Sequence, residues 1–571
     1  MHINKHTTTT KHAPTCTPKH TAIGQRKQGF IAPLLRSILA GGALLCLVSC
    51  NDMDTSPLGT YPEDQFWTSI EKAQYMLNMV YNQHYSAGTM WNDETLTDNL
   101  IHARDFSDER TIRDGNAETT TTIFATTWKN LYAGIKTANM FLENIDKLQA
   151  NQHTLTRMKA QARYLRAWMY LRLTSLYGDV PYFTTNLTTA EAKRVSRTPH
   201  TQVMTAIHNE LTAIVNYLPR RDDLTDDERG QITRGAAIML QARAYLYDAD
   251  WAAVEQYCLM LMNEQEQYGH YALYPNYQEL FSQDAEYNAE IIADYEYAPR
   301  VKTWGEMHDM APISVGARVN GRAPTESLVS AYLMEDGLTT DASPLYNAEH
   351  PYAHRDPRLT ATVVYDGYRW SYNVPDGTTG KIIYTHPNSN ITTDAYAGPN
   401  KNQTPTGYYV RKYYDAKHED RLSSSINIIT MRYADVLLMY AEAMNEQGKM
   451  SQEVWNATLR PIRQRAGFTL ASALDYPATA TQADMRDIIH RERRCELALE
   501  GLRWFDIKRW RIGKQCLDGY VLGARFINNN TENIRLDKYI FDENRDYLWS
   551  VPQTQMDINP NLMPNNPGYS R

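Results

Sequence analysis

Residues 432–448 read Arg432-Tyr433-Ala434-Asp435-Val436-Leu437-Leu438-Met439-Tyr440-Ala441-Glu442-Ala443-Met444-Asn445-Glu446-Gln447-Gly448. Apolar side chains return at three- and four-residue steps, which predicts a helix over 433–446. Ala441 and Ala443 are small enough to let a second helix approach, and Tyr440 is large enough to fill the gap beside them. Those are the marks of a tetratricopeptide-like helix pair. Its partner is predicted over 453–466. The same marks stand at Ala242-Arg243-Ala244-Tyr245-Leu246-Tyr247-Asp248-Ala249-Asp250-Trp251, followed by Ala252-Ala253. There the first helix begins after Gly230 and the second runs from Trp251 to Met262. Spacing between the pairs is irregular, so the pattern is a degenerate helical repeat.

Upstream, four more stripes have the helical period. One runs from Phe66 through Ala73 to Val80 and Tyr81, and a second from Trp128 to Ile145. A third runs from Met158 to Leu176 and stops at Tyr177-Gly178-Asp179-Val180-Pro181, where Gly then Pro ends a helix. A fourth runs from Val203 to Leu218 and stops at Pro219. The last strong helix is predicted over 484–500. Between about 265 and 425 the period is lost. Gly, Pro, Asn, Thr and Tyr dominate, with short apolar runs at Ile291-Ile292-Ala293 and Thr362-Val363-Val364-Tyr365 and one helix predicted over 326–334. Loops this long inside a large domain are more often functional than filler. The expected fold is mainly α: tetratricopeptide-like helix pairs forming a scaffold, with a loop-rich half containing a few short strands. The expected division is 1–49, 50–264 and 265–571, with further helices at about 431–510 in the last part.

The chain carries 58 Lys and Arg against 66 Asp and Glu. Six of those cations lie in residues 1–49, which hold no acid, so the remainder is more acidic still. That balance excludes general binding to a phosphate backbone, and no nucleic-acid partner is expected. Ser37 to Val48 is apolar and too short to span a bilayer, which needs about 20 residues, so it reads as the core of a signal peptide. It ends at Leu47-Val48-Ser49-Cys50, the bacterial lipobox pattern. Cys50 is therefore the expected lipidation point, and two or three acyl chains anchor stably at about 0.8 kcal/mol per buried CH₂. Asp52 and Asp54 follow it as an expected surface-export signal. Beyond Cys50 only Cys258, Cys495 and Cys516 remain, an odd number that reads as buried thiols and not as a disulfide framework.

From the lipobox to the C-terminus the chain resembles the SusD/RagB family of outer-membrane nutrient-binding lipoproteins. The resemblance is carried in order by Phe66-Trp67-Thr68-Ser69; Ala162-Arg163-Tyr164-Leu165-Arg166-Ala167-Trp168 with Leu176-Tyr177-Gly178-Asp179-Val180-Pro181; and Thr233-Arg234-Gly235-Ala236-Ala237. It continues through Pro324-Thr325-Glu326-Ser327-Leu328-Val329, Arg355-Asp356-Pro357-Arg358-Leu359 and the 432–443 stretch. Arg491-Glu492-Arg493-Arg494, Arg503-Trp504-Phe505-Asp506 and Trp549-Ser550-Val551-Pro552-Gln553 complete it. Ser550 stands where the family usually has Pro, and Cys495 where a polar residue is usual. The resemblance implies four tetratricopeptide-like pairs packed against a loop-rich half. It also implies a surface-facing, lipid-anchored protein that caps a TonB-dependent SusC-like outer-membrane transporter and passes it an oligosaccharide, or less often a peptide.

No catalytic residues, metal ligands or cofactor are expected. HExxH, GxSxG and GxGxxG do not occur, and Gly448-Lys449-Met450 and Gly513-Lys514-Gln515 lack the Ser/Thr of a P-loop. The charges of residues 491–510 read as structure: at helical spacing Arg493, Glu496, Glu500 and Arg503 share a face and pair at i,i+3 and i,i+4. Sugar capture needs exposed aromatic faces with amides and carboxylates beside them. Trp67, Trp128 and Trp168 lie on helix stripes and read as core. Trp91, Trp304 and Trp370 lie in predicted loops and are the expected platforms, with Asn92 and Asp98 as polar partners. The expected function is glycan capture and delivery. A peptide ligand on the same fold is the alternative, and a surface glycan-active enzyme a more distant one.

Overall fold

The computed structural model describes residues 66–104, 107–371, 380–415, 423–526 and 532–570. The signal segment, Cys50, Asp52 and Asp54 lie outside the described residues. Ser69 starts the first long helix, Ile70–His84, by accepting a hydrogen bond from the Lys72 amide. Thr233 caps Arg234–Tyr247 and Asp250 caps Trp251–Asn263 in the same way. Thr481 and Asp484 form a reciprocal capping box on Gln482–Glu496. Gln152–Tyr177 stops at Gly178, whose φ of +70° lets the chain turn where a side chain would strain it.

These helices stack in one continuous series. Ile70–His84 packs on Thr122–Asn144, then come Gln152–Tyr177, His200–Ile214, Arg234–Tyr247 and Trp251–Asn263. Trp251–Asn263 packs directly on Tyr433–Glu446, and that helix on Gln482–Glu496. The array therefore runs on across residue 264, and residues 264–432 form an insertion between two neighbouring layers. The helix over 433–446 has the bounds its periodicity predicts. Its predicted partner over 453–466 is two short helices, Gln452–Ala457 and Leu459–Ala466, broken at Thr458. Close approach is visible at Gly134, where an added Cβ would lie 2.3 Å from the Met169 sulfur of the next helix. Trp67, Trp128 and Trp168 are core, as expected. Cys258 and Cys495 are buried thiols; Cys516 is only half-buried.

The insertion holds its own aromatic core, and short antiparallel pairs pin its loops. Ile291–Tyr295 pairs with Ile428–Arg432, closing the insertion's two ends against each other. Leu100–His102 pairs with Arg322–Pro324, Val363–Val364 with Tyr409–Val410, and Tyr368–Arg369 with Ile382–Ile383. Gly519–Leu522 and Arg535–Tyr539 form a further pair in the stretch after residue 519.

Where the insertion meets the array lies a buried ion network. Arg432 contacts Glu290 and Glu496 at 2.7 Å each and grips Glu500 through Nε and Nη2. Arg358 reaches Asp356, Glu492 and Glu496, and Lys412 reaches Glu500 at 2.7 Å. A second group joins Asp435 to Arg243 and Arg493, and Glu442 to Arg509. Burial alone would push the Glu496 carboxyl up; Arg465, Arg432 and Arg358 outweigh it and hold it well below the usual range. The network expected from residues 491–510 exists, but apart from Asp506 with Arg493 and Arg509 its partners come from outside that stretch. The helix ends at Glu496, and Leu499 and Gly501 both take positive φ, so the helical spacing stops before Glu500 and Arg503.

Candidate functional site

The three tryptophans expected as ligand platforms are core residues. Trp91 and Trp370 are 0% exposed and Trp304 is 5% exposed. Trp91 lies in a helix, Ala87–Thr95, and not in a loop. Tyr413 stands edge-on to both Trp91 and Trp304, and the Trp304 indole donates to the Ile426 carbonyl. Trp370 is sandwiched between Tyr414 and the Arg411 guanidinium. The physical reason is that an insertion of this size must bury apolar surface of its own: Trp304 and Trp370 are drawn into that core, and Trp91 enters it from the Ala87–Thr95 helix packed there. Asp98 is also structural. Arg503 grips both its oxygens at 2.9 and 3.0 Å and Arg494 adds a third contact. Burial opposes its charge, but those two cations hold its carboxyl down to about 2. Asn92 accepts a hydrogen bond from Arg322.

Aromatic surface with open sides occurs elsewhere, in a groove of about 770 Å³ formed by the insertion together with Arg525 and Phe526. Tyr352 and Tyr365 stack with ring centroids 4.1 Å apart and planes 19° apart, and both are half-buried. Phe526 also lines the groove, with His386 edge-on to it at 5.1 Å. Glu349, Asp366 and Arg525 supply charge at the rim.

Each part of the groove is held from below. The loop carrying Tyr352 is tied down by Arg355, which donates to the carbonyls of Pro351, Val329 and Tyr332. The Tyr352 hydroxyl donates to Tyr408, whose own hydroxyl donates to Glu326. Tyr365 and Asp366 follow the Val363–Val364 strand directly. One Asp366 oxygen accepts the Thr385 and His386 amides at 2.7 and 2.9 Å, fixing the turn. Gly367, at φ +80°, then folds the chain into the Tyr368–Arg369 ribbon. Burial pushes the Tyr352 and Tyr365 phenols up, so both remain neutral hydrogen-bonding groups. Glu349 and Arg525 make no ion pair among the described residues, unlike the charges of the buried network. The groove thus offers a flat ring face with a carboxylate and a guanidinium beside it, which suits a polar ring with hydroxyl edges. Sequence reading passed over both tyrosines. The available signal was the Tyr-rich run Tyr365-Asp366-Gly367-Tyr368, where the indole of Trp370 drew the attention instead.

Comparison with known proteins covers nearly the whole chain. The profile of the SusD family matches residues 280–569. A profile described as starch-binding associating with outer membrane matches residues 55–246. SusD-like protein P2 of Formosa agariphila is 28% identical over 546 residues, 92% of this chain and 98% of that protein. A SusD-like carbohydrate binding protein from Bacteroides fragilis superposes with a TM-score of 0.79 at 27% identity, over 87% of this chain and 100% of the other. A second SusD-like protein of that organism shares the fold, with a TM-score of 0.76 at 23% identity over 89% and 100% of the two chains. The helical array, the loop-rich insertion and matches on both sides of residue 264 agree: the chain belongs to the SusD/RagB family.

Proposed function

We propose that this protein captures a nutrient glycan at the outer membrane and hands it to a partner TonB-dependent SusC-like transporter, without turning it over. The observation that carries the reading is the family match over residues 55–246 and 280–569, one profile of which is described by starch binding and outer-membrane association. The relative from Bacteroides fragilis described as carbohydrate binding supports the ligand class. The Tyr352–Tyr365 groove is the proposed platform. In this reading Cys50 carries the lipid, Asp52 and Asp54 direct the protein to the cell surface, and the insertion presents the groove to the ligand.

Binding of a neutral glycan at this groove depends on ring-face area and little on salt, because there is no ligand charge to screen. In titrations of a glycan panel with the detergent-solubilised full chain, Tyr365→Ala and Tyr352→Ala are each expected to weaken binding by about 1–3 kcal/mol. Phe at either position restores most of it, since the stacking face returns. If both alanine variants bind every glycan as the wild type does, the platform is wrong. Binding of extended peptides with no glycan bound would instead support the peptide-binding alternative.

The anchor has a separate test. Cells fed a labelled fatty-acid analogue are expected to label the wild-type protein and not Cys50→Ala, because the thiol is the acylation point. Equal label in both removes Cys50 from the reading, and failure of protease added to intact cells to reach the protein removes surface exposure.

A further inference from the structure

A second groove, of about 940 Å³, lies far from the tyrosine platform in the chain, on the helical array. It opens where Gln152–Tyr177 ends and His200–Ile214 begins, beside the Arg503–Arg509 helix and under the C-terminal residues 561–567. Its construction is rigid. Arg197 donates to the carbonyls of Tyr177, Asp179 and Pro564 and to the Asn566 side chain, tying the C-terminal strap to the helix end. Asn566 in turn donates to the Tyr177 and Trp549 carbonyls. On the floor, Phe505 stacks on Tyr247 with planes 6° apart.

The charges of this groove are out of balance. Its two acids are already engaged: Asp179 accepts the His200 amide at 2.8 Å, and Asp248 holds the His200 ring at 3.0 Å. Arg509 is committed to Glu442 and Asp506. Lys508 is different. Its ammonium donates to the Ser175 carbonyl and makes no ion pair among the described residues. The acid whose charge acts on it, Asp93, is held by Arg172 through two contacts of 2.8 Å. Arg511 lies over the Tyr547 ring at 3.7 Å, is exposed, and makes no ion pair among the described residues either. Arg197 also lacks a carboxylate, but its donors go to carbonyls and to Asn566, so Lys508 and Arg511 are the two cations of this groove placed to meet an anion. Burial first, and Arg172 second, pull the Lys508 ammonium down to about 7, and an anion beside it would restore its charge.

We propose that this groove is a second binding site, for a saccharide bearing a negatively charged substituent, with Lys508 and Arg511 receiving the anionic group. Asn561, exposed and tied to the Arg194 carbonyl through Nδ2, turns an amide oxygen to the hydroxyls, and the edges of Phe505 and Tyr547 supply apolar contact. A planar guanidinium already stacked on a tyrosine is pre-ordered to meet a carboxylate or sulfate in a bidentate way. A neutral sugar would leave both cations as they are and gain nothing from them. The site is therefore distinct in chemistry from the tyrosine platform, where ring faces dominate.

The test uses the full chain and three probes: a galacturonate oligomer, its neutral methyl ester, and a sulfated neutral oligomer of similar length. At least one charged probe is expected to bind, at least tenfold more tightly than the ester, and to weaken at least tenfold between 50 mM and 500 mM salt. Which charged probe binds separates a carboxylate from a sulfate ester as the anion. Arg511→Gln and Lys508→Gln are each expected to reduce that affinity at least tenfold. Arg511 is exposed, so its variant keeps the wild-type melting temperature and guards against a folding artefact. Tyr365→Ala is expected to leave it unchanged. The proposal is overturned if neither charged probe binds, if acid and ester bind alike, or if Arg511→Gln binds as the wild type does. It is also overturned if a poly-glutamate peptide binds as tightly as the saccharides, which would make the groove a peptide site.

Discussion

Arg432→Ala is expected to cost about 3–5 kcal/mol of folding stability, a large share of the 5–15 kcal/mol that holds most domains together. Arg432 closes the Ile428–Arg432 strand and is the residue from which the Tyr433–Glu446 helix starts. Its guanidinium contacts Glu290 at the edge of the opposing strand, Glu496 at the end of the Gln482–Glu496 helix, and Glu500 beyond it. Removing it takes one cation from three buried carboxylates, leaving Glu500 with Lys412 and leaving Glu290 and Glu496 to share Arg465, with Arg358 also on Glu496; the loss comes from that shortfall of buried positive charge more than from any single bond. Lys at the same position keeps the charge but not the fork that grips both Glu500 oxygens, so it is expected to recover only part of the loss. The pH dependence follows from sign. In the wild type the arginines hold Glu496 and Glu500 below the usual carboxylate range, against burial, so their contribution is present above about pH 4.5 and lost as pH falls through the lowered values. In Arg432→Ala the main cation on Glu500 is gone and Lys412 alone opposes burial, so that carboxyl rises and the variant loses stability as pH climbs to neutrality, while Glu496 keeps Arg465 and Arg358. The deficit is therefore largest near pH 7 and shrinks toward pH 5. Urea denaturation at the two pH values measures it; equal midpoints for variant and wild type at pH 7 would show that the network is not what joins the insertion to the array.

The helices were legible in the sequence because each carries its own instructions. Period, small residues and stops together set the Tyr433–Glu446 helix and the end of Gln152–Tyr177 at Gly178. The family was legible for the same reason, since its marks are local strings. What the sequence does not contain is which distant groups meet. Arg493, Glu496, Glu500 and Arg503 were visible as a charge cluster, but the partners that tie it to the rest of the chain are Asp98, Arg358, Lys412, Arg432 and Asp435, between about 60 and 400 residues away. Nor does a loop-like local context reveal burial. Gly, Asn and Tyr around Trp304 and Trp370 mark irregular backbone, and irregular backbone in a long insertion still folds over a core. The tyrosine groove combines Tyr352 and Tyr365 of the insertion with Phe526 from beyond it, which only the folded chain brings together. Composition did register an excess of tyrosine, without indicating which of the 39 face solvent.

Trp91→Ala separates core from site in one experiment. The indole is fully enclosed in the Ala87–Thr95 helix, edge-on to Tyr413 at 6.3 Å, within the core that also holds Trp304 and Trp370. Truncation to Ala removes the whole ring from a close-packed interior, and neighbours held by strands and ion pairs relax only partly into the space. The expected cost is about 3–5 kcal/mol. Phe at this position keeps one ring's worth of contact and is expected to lose less, because the buried indole Nε1 has no hydrogen-bond partner to forfeit. A ligand platform behaves in the opposite way: its truncation spares the melting temperature and removes affinity, as expected for Tyr365→Ala. Trp91→Ala is therefore expected to lower the melting temperature clearly while the folded fraction binds any glycan as the wild type does. Unchanged stability with lost binding would return Trp91 to the ligand surface, and would mean that the helix Ala87–Thr95 swings open in solution to present it.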